Sequence, residues 1–218
     1  MLAGAAVTAI GTAGLVLAEW RTAPRARWLF KPLASAGFLL AALKAPTLAL
    51  PSGTGWLLLA GLALSAAGDV LLVPSDKRTF LAGIGAFALA HVAYGAWFVS
   101  RGVDAWIGIV ALTLALGLGH RVWLSLERHV TGRLRLPVRL YVVLVSLMAA
   151  SAAAGGATAL GRGSATATLL APAAGGLLFY LSDAAVARQR FVSPGFVNRA
   201  WGLPVYYAAQ LLIASAVS

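Results

Sequence analysis

Two aspartates stand inside apolar runs of this chain. Asp69 lies in Ser65-Ala66-Ala67-Gly68-Asp69-Val70-Leu71-Leu72, and Asp183 lies in Leu177-Leu178-Phe179-Tyr180-Leu181-Ser182-Asp183-Ala184-Ala185-Val186. An acid held in hydrocarbon costs about 2.5–3.5 kcal/mol on translocon scales, so its presence there points to a functional site. The chain has six acidic residues in all. Asp76, Asp104 and Glu127 fall in loops and read as solvated charge. Glu19 ends an apolar run and reads as a snorkelling or salt-bridged helix terminus. Two acids at the same depth can do acid–base chemistry together. Near each other they do not both ionise easily, so one is kept protonated as an acid while the other serves as the anion.

Other polar groups fall at related depths. Lys31 with Pro32 is expected to open the second helix. His91 and Tyr94 lie one turn apart on one face. Tyr180 precedes Asp183 by three residues. Asn198, Tyr206, Tyr207 and Gln210 mark the last apolar run and its entrance. Two readings stand for His91, a packing residue with a hydrogen bond or a site residue. Two stand for Tyr206 and Tyr207, an interfacial belt or a site. Taken together, the set reads as the substrate-binding lining of a cavity.

Competing chemistries lack their residues. There is no Cys, hence no disulfide, thiol nucleophile or Cys-ligated metal. His91, His120 and His129 are scattered, with no His-Glu-x-x-His spacing, so no metal and no cofactor are expected. No Gly-rich loop ends in Lys-Ser/Thr, and no Ser sits in a Gly-x-Ser-x-Gly elbow. The Gly-x-Gly-Asp signature of intramembrane aspartyl proteases fails at Ala66.

The elements that must carry these residues follow from composition. The 218 residues are 61% hydrophobic and 11% charged, with a mean hydropathy of +0.87. Soluble domains carry about 25% charged residues, so most of this surface must be covered by lipid. The expected fold is all-α, a single polytopic membrane bundle over 1–218. Spans of about 20 apolar residues are expected at 2–19, 31–50, 55–73, 80–99, 103–122, 138–155, 165–187 and 200–217. The first run has no basic n-region and no clear cleavage site, and it reads as a span. Gly and Ala are abundant in these runs, which suits close helix packing.

The net charge of +11 is explained by topology and not by nucleic acid. Arg21, Arg25, Arg27 and Lys31 follow the first run, and Lys77 and Arg78 the third. Arg121, Arg128, Arg133, Arg135 and Arg139 surround the loop after the fifth, and Arg188, Arg190 and Arg199 follow the seventh. Lys44, Arg101 and Arg162 fall elsewhere. With eight spans the basic loops share one side, which predicts both termini outside and those loops in the cytoplasm. The pairs Gly61/Gly175, Leu64/Leu178 and Asp69/Asp183 hint at two parallel halves.

Lys31-Pro32-Leu33, Gly68-Asp69-Val70-Leu71-Leu72, Gly83-x-x-x-Phe87-x-x-x-His91-x-x-Tyr94, Phe179-Tyr180-Leu181-Ser182-Asp183 and Tyr206-Tyr207-x-x-Gln210 together resemble the YhhN-like family. The resemblance covers about residues 31 to 210. It implies an eight-helix membrane hydrolase of the lysoplasmalogenase kind, which cleaves the vinyl ether bond of lysoplasmalogen. The products would be a fatty aldehyde and glycerophospho-ethanolamine or -choline. It also implies that Asp69 and Asp183 are the catalytic pair. Protonating the β-carbon of a vinyl ether creates an oxocarbenium ion, and two carboxylates suit that chemistry as they do in glycoside hydrolysis. The expected partners are the lysophospholipid and the bilayer. The expected location is a bacterial inner membrane, with the site towards the cytoplasm and the basic cytoplasmic rim holding the lipid phosphate, Lys31 being the best single candidate. The competing class is a small transporter or lipid-binding protein that uses the intramembrane Asp pair; acids clustered near one face favour a site over a conduit.

Overall fold

A computed structural model describes residues 1–43 and 53–217. Among them are eight α-helices: α1 (Leu2–Trp20), α2 (Pro24–Ala42), α3 (Gly55–Leu71), α4 (Lys77–Ser100), α5 (Ala105–Leu126), α6 (Arg135–Gly161), α7 (Ala167–Ala187) and α8 (Phe196–Ala214). A 3-10 turn (Gly132–Leu134) leads into α6, and a π-helical turn (Arg188–Val192) extends α7. The described chain is all-helical. Five of its helical stretches are long and apolar enough to cross a membrane: α1, α4, α5, α6 with its leading turn, and α7 with its extension. The protein is an integral membrane protein.

Several helices begin or end away from the apolar boundaries expected from the sequence. α2 starts at Pro24, not at 31, so Lys31 and Pro32 lie in its interior. Pro24 occupies the first position, where its fixed φ is already helical and its missing N–H would have had no partner. A hydropathy window skips this basic first turn, whereas backbone hydrogen bonding does not. For the same reason α5 runs on to Leu126, α6 starts at Arg135 and α8 starts at Phe196. The expected end of the second span, with Lys44, Pro46 and Pro51, lies outside the described residues. Asp76 and Asp104 are more than loop charge. Each accepts backbone N–H bonds at the start of a helix, Asp76 from Arg78 and Thr79, and Asp104 from Trp106 and Ile107.

Sequential helices pair as hairpins, α1 with α2, α3 with α4, α5 with α6 and α7 with α8. Around the bundle, α2 packs on α3, α4 on α6, α6 on α7, and α8 closes back onto α1, α2 and α3. These seven helices form a ring, and α5 joins it chiefly through α6. The outer face of α5 (Ile109, Val110, Leu114, Leu118) is exposed for lipid.

Small residues bring the helices close. Gly4 and Gly11 of α1 and Gly37 of α2 leave no room for a methyl group between the two backbones. Lipid tails are as apolar as the side chains, so close van der Waals fit replaces the hydrophobic drive. Gly61 and Gly68 on α3 do the same against the rings of Tyr94 and Phe87 on α4. That contact brings the Asp69 face of α3 up to the aromatic centre of the molecule.

Candidate active site

One cavity of about 450 Å³ opens between the helices. That volume suits a small-molecule or lipid site, typically about 300–1,000 Å³. Its walls are mostly apolar, with Leu15, Ile84, Phe87, Val142 and Phe179 among them. Of the residues picked from the sequence, Asp69, Asp183, Lys31, Tyr180, Asn198 and Tyr206 line it. His91, Tyr94, Tyr207 and Gln210 stand behind the wall as buried supports.

Asp69 sits near the end of α3, 2% exposed. Its Oδ2 accepts from the Ser35 hydroxyl at 2.6 Å and from the Tyr206 hydroxyl at 2.8 Å. Lys31 Nζ lies 3.4 Å from its Oδ1. Lys31 and Ser35 are one turn apart on α2, and Ser35 also donates to the Lys31 carbonyl. Two donors and a counter-ion converge on this carboxylate, the arrangement a buried anion requires. Lys31 is therefore engaged with Asp69 while lining the cavity.

Asp183 sits one turn before the end of α7, its side chain 13% exposed. Its Oδ2 accepts from the Tyr141 hydroxyl of α6 at 3.0 Å, and His91 Nε2 of α4 lies 3.2 Å from the same oxygen. His91 Nε2 also lies 3.0 Å from the Tyr141 oxygen. Tyrosine has one proton, and it goes to Asp183. The His91–Tyr141 bond therefore needs a proton on Nε2. His91 Nδ1 is buried without a partner, and no Lys or Arg pairs with Asp183 among the described residues.

No hydrogen bond joins the two carboxylates among the described residues. An aromatic partition runs between their surroundings. Phe179 packs on His91 with ring centroids 4.6 Å apart and on Tyr206 at 5.3 Å, and Phe87 meets Tyr206 at 5.8 Å. Behind it Tyr94 donates to Gln210 at 2.8 Å, and Tyr207 donates to the Lys31 carbonyl at 3.4 Å. Tyr180 lines the cavity with its hydroxyl unpartnered. Asn198 donates to Gln189 Oε1 and to the Ser193 carbonyl, which pins the π-helical turn against the start of α8. No cluster of three His, Asp or Glu able to hold a metal occurs among the described residues.

Sequence reasoning missed Tyr141 and Ser35, and it read a basic rim and a salt-bridged Glu19 without their pairing to Arg27 and Arg199. Tyr141 was the one tyrosine of five not singled out. Ser35 had a usable signal, its spacing of four from Lys31. The entrance is built on Glu19, whose buried carboxylate pairs with Arg27 at 2.8 Å and with Arg199. The tight turn between α1 and α2, with Thr22 at a left-handed φ of 50°, folds Glu19 back beside Arg27. Arg199 comes from the far end of the chain and had no local signal.

A model of the YhhN family matches residues 26–217 of this chain. The chain is 34% identical over 187 residues to lysoplasmalogenase TMEM86A of Bos taurus, covering 86% of this chain and 71% of that protein. The Homo sapiens lysoplasmalogenase TMEM86A is 33% identical over 187 residues, with the same shares of 86% and 71%. The membrane protein YhhN of Shigella flexneri is 35% identical over 115 residues, 51% of this chain and 53% of that protein. No solved structure matches.

Proposed function

We propose that this chain, which belongs to the YhhN family, hydrolyses the vinyl ether bond of lysoplasmalogens with Asp69 and Asp183 as its acid–base pair. The observation that carries this reading is that both carboxylates line one largely apolar cavity while holding different partners. The relatives named lysoplasmalogenase support the substrate class.

The difference in partners suggests a division of labour. Asp69, with Lys31 as counter-ion and two donors, is the anion. Asp183 pairs with no Lys or Arg, and its Oδ1 makes no hydrogen bond among the described residues; in this reading it is the proton donor. Tyr141 and His91 hold Oδ2 so that the protonated oxygen points to substrate. Its proton passes to the β-carbon of the alkenyl chain, which leaves an oxocarbenium ion on the carbon bonded to oxygen. The Asp69 carboxylate stabilises that charge and orients the attacking water, and the proton the water loses as it adds returns to Asp183. The hemiacetal then breaks its bond to the glycerol oxygen, which leaves with the proton that the hemiacetal hydroxyl gives up as it becomes the aldehyde carbonyl. The products are a fatty aldehyde and a glycerophospho-ethanolamine or -choline.

All eight helices cross the bilayer in this reading, with both termini outside and the cavity open to the cytoplasm of a bacterial inner membrane. The absence of Cys makes that easy to test. In intact cells a thiol reagent that cannot cross the membrane should label Ser164→Cys and not Thr131→Cys. The reverse pattern would invert the topology.

The activity test uses purified protein with alkenyl, acyl and alkyl lysophospholipids side by side, in heavy water. The expected result is aldehyde from the alkenyl lipid alone, with one deuterium on the carbon next to the aldehyde after rapid trapping. Fatty acid as the sole product would remove the reaction class. Aldehyde without deuterium would remove the carbon-protonation step.

A further inference from the structure

The cavity grades from buried acids to an exposed basic rim. Asp69 is 2% exposed, the side chains of Arg27 and Arg199 are 26% and 33% exposed, and Arg190 lies at the surface. All three arginines line the cavity together with Glu19. Glu19 is buried and grips Arg27 through one oxygen and Arg199 through the other. A carboxylate placed between two guanidiniums fixes both forks and leaves their remaining N–H groups to point elsewhere. Arg27 Nε is one such group, buried and without a partner. A buried donor with nothing to bind is costly, which marks a place for an acceptor.

Arg190 adds a third guanidinium with no carboxylate partner among the described residues. Its Cζ lies over the Phe80 ring, 4.3 Å from the centroid. The π-helical turn Arg188–Val192 carries it there, with Ser193 N–H donating to the Arg188 carbonyl at 2.9 Å. Three guanidiniums against one carboxylate leave the rim with excess positive charge and no spare acid. That combination selects an anion with several acceptor oxygens, and it offers nothing to an ammonium group.

We propose that Arg190, with Arg27 and Arg199 clamped on Glu19, forms the subsite that holds the phosphate of a single-chain phospholipid at the cavity entrance. This rests on the preceding reading of the substrate as a lysophospholipid, and it replaces Lys31 as the phosphate holder. Lys31 is committed to Asp69. The phosphate anchors the lipid at the rim, and the chain then passes inward between the acids.

The test measures binding, so that it stands apart from turnover. Purified full-length protein is titrated with a 1-alkyl lysophospholipid, which has no vinyl ether to cleave, with the matching 1-alkylglycerol, and with inorganic phosphate. The wild-type protein should bind the alkyl lysophospholipid at least about tenfold more tightly than the alkylglycerol, as expected for charge-assisted hydrogen bonds. Arg190→Gln, which breaks no ion pair, should abolish most of that preference and leave alkylglycerol binding as it was. Arg133→Gln, outside the cavity, should leave the preference intact. An equal loss for both ligands in Arg190→Gln, or no loss for either, would overturn the subsite. An equal effect of Arg133→Gln would reduce it to a general positive field. Arg190-dependent binding of inorganic phosphate, with no preference between the two lipids, would make it a site for free phosphate and overturn the lipid assignment. If the phosphate preference holds while no aldehyde is ever formed, the subsite survives and the hydrolase reading fails.

Discussion

Asp69 and Asp183 are the same residue type near the ends of two apolar helices, yet their surroundings divide them. Asp69 is closed in by a cation and two hydroxyls from α2 and α8. Asp183 is held on one oxygen by a tyrosine and a histidine from α6 and α4, and it is more open to the cavity. A carboxylate with a counter-ion is suited to stay charged. One with no Lys or Arg beside it can carry a proton and give it away. The difference teaches that, in the proposed reaction, role follows from the neighbours that converge on a carboxyl group, since both residues are aspartates near the ends of apolar helices.

The largest expected effect breaks the comparison at its two poles. Asp69→Asn and Asp183→Asn should each lower kcat by about 100- to 10,000-fold, the range of general acid–base catalysis. Both variants should still insert in the membrane, because Asn is close to isosteric. The infrared C=O band of a protonated carboxyl group should vanish in Asp183→Asn and persist in Asp69→Asn. The opposite pattern would exchange their roles.

Tyr141→Phe comes next. It removes one of the two groups that fix Asp183 Oδ2 and leaves the Asp69 surroundings untouched. We expect kcat to fall by about 10- to 100-fold, the worth of a hydrogen bond to a charged or reacting carboxyl group, with stability nearly unchanged. Unaltered turnover would mean that Asp183 is oriented without it.

Lys31→Met sharpens the other side. It leaves the buried Asp69 without its counter-ion, a loss of about 3–5 kcal/mol where a buried pair is broken. The expected readout is a lower thermal midpoint in detergent, partly restored by the double change Lys31→Met with Asp69→Asn. A midpoint equal to wild type would show that Asp69 does not depend on this cation.

The smallest effect lies outside the pair and serves as its control. The Thr79 hydroxyl, with the backbone amides of Thr79 and Arg78, holds the Asp76 carboxyl below the usual carboxylate range. Its folded pKa is the lower one, so the cap is at full strength above the unfolded value and is lost as pH falls through the folded value. Amide protection at the first turn of α4, taken relative to the intrinsic exchange rate at each pH, should fall on acidification before the rest of the helix responds. Asp76→Ala should remove that pH dependence without touching turnover.

Much of the bundle is legible in the chain because hydropathy is local and additive. Each apolar run becomes a helix when its backbone must satisfy its own hydrogen bonds in lipid. Helix starts were less legible. The basic first turns of α2 and α6 lie outside any apolar window, yet they continue the same hydrogen-bond ladder. In the site, Asp69, Asp183 and Lys31 stood out because charge within an apolar run is costly. Tyr141 did not, because a tyrosine in such a run is equally at home as packing.

The amino-acid sequence by itself determined that the chain belongs in a membrane, about where its helices fall, and which two aspartates stand inside them. Those properties depend on neighbours a few residues away. Only the tertiary structure decided what each acid touches. Ser35 is 34 residues from Asp69 and Tyr206 is 137 away, Tyr141 is 42 from Asp183, and Arg199 is 180 from Glu19. Such pairings depend on how the helices pack around the ring, on close approaches permitted by glycines and on a turn one residue wider than α-helix. No window along the chain contains them.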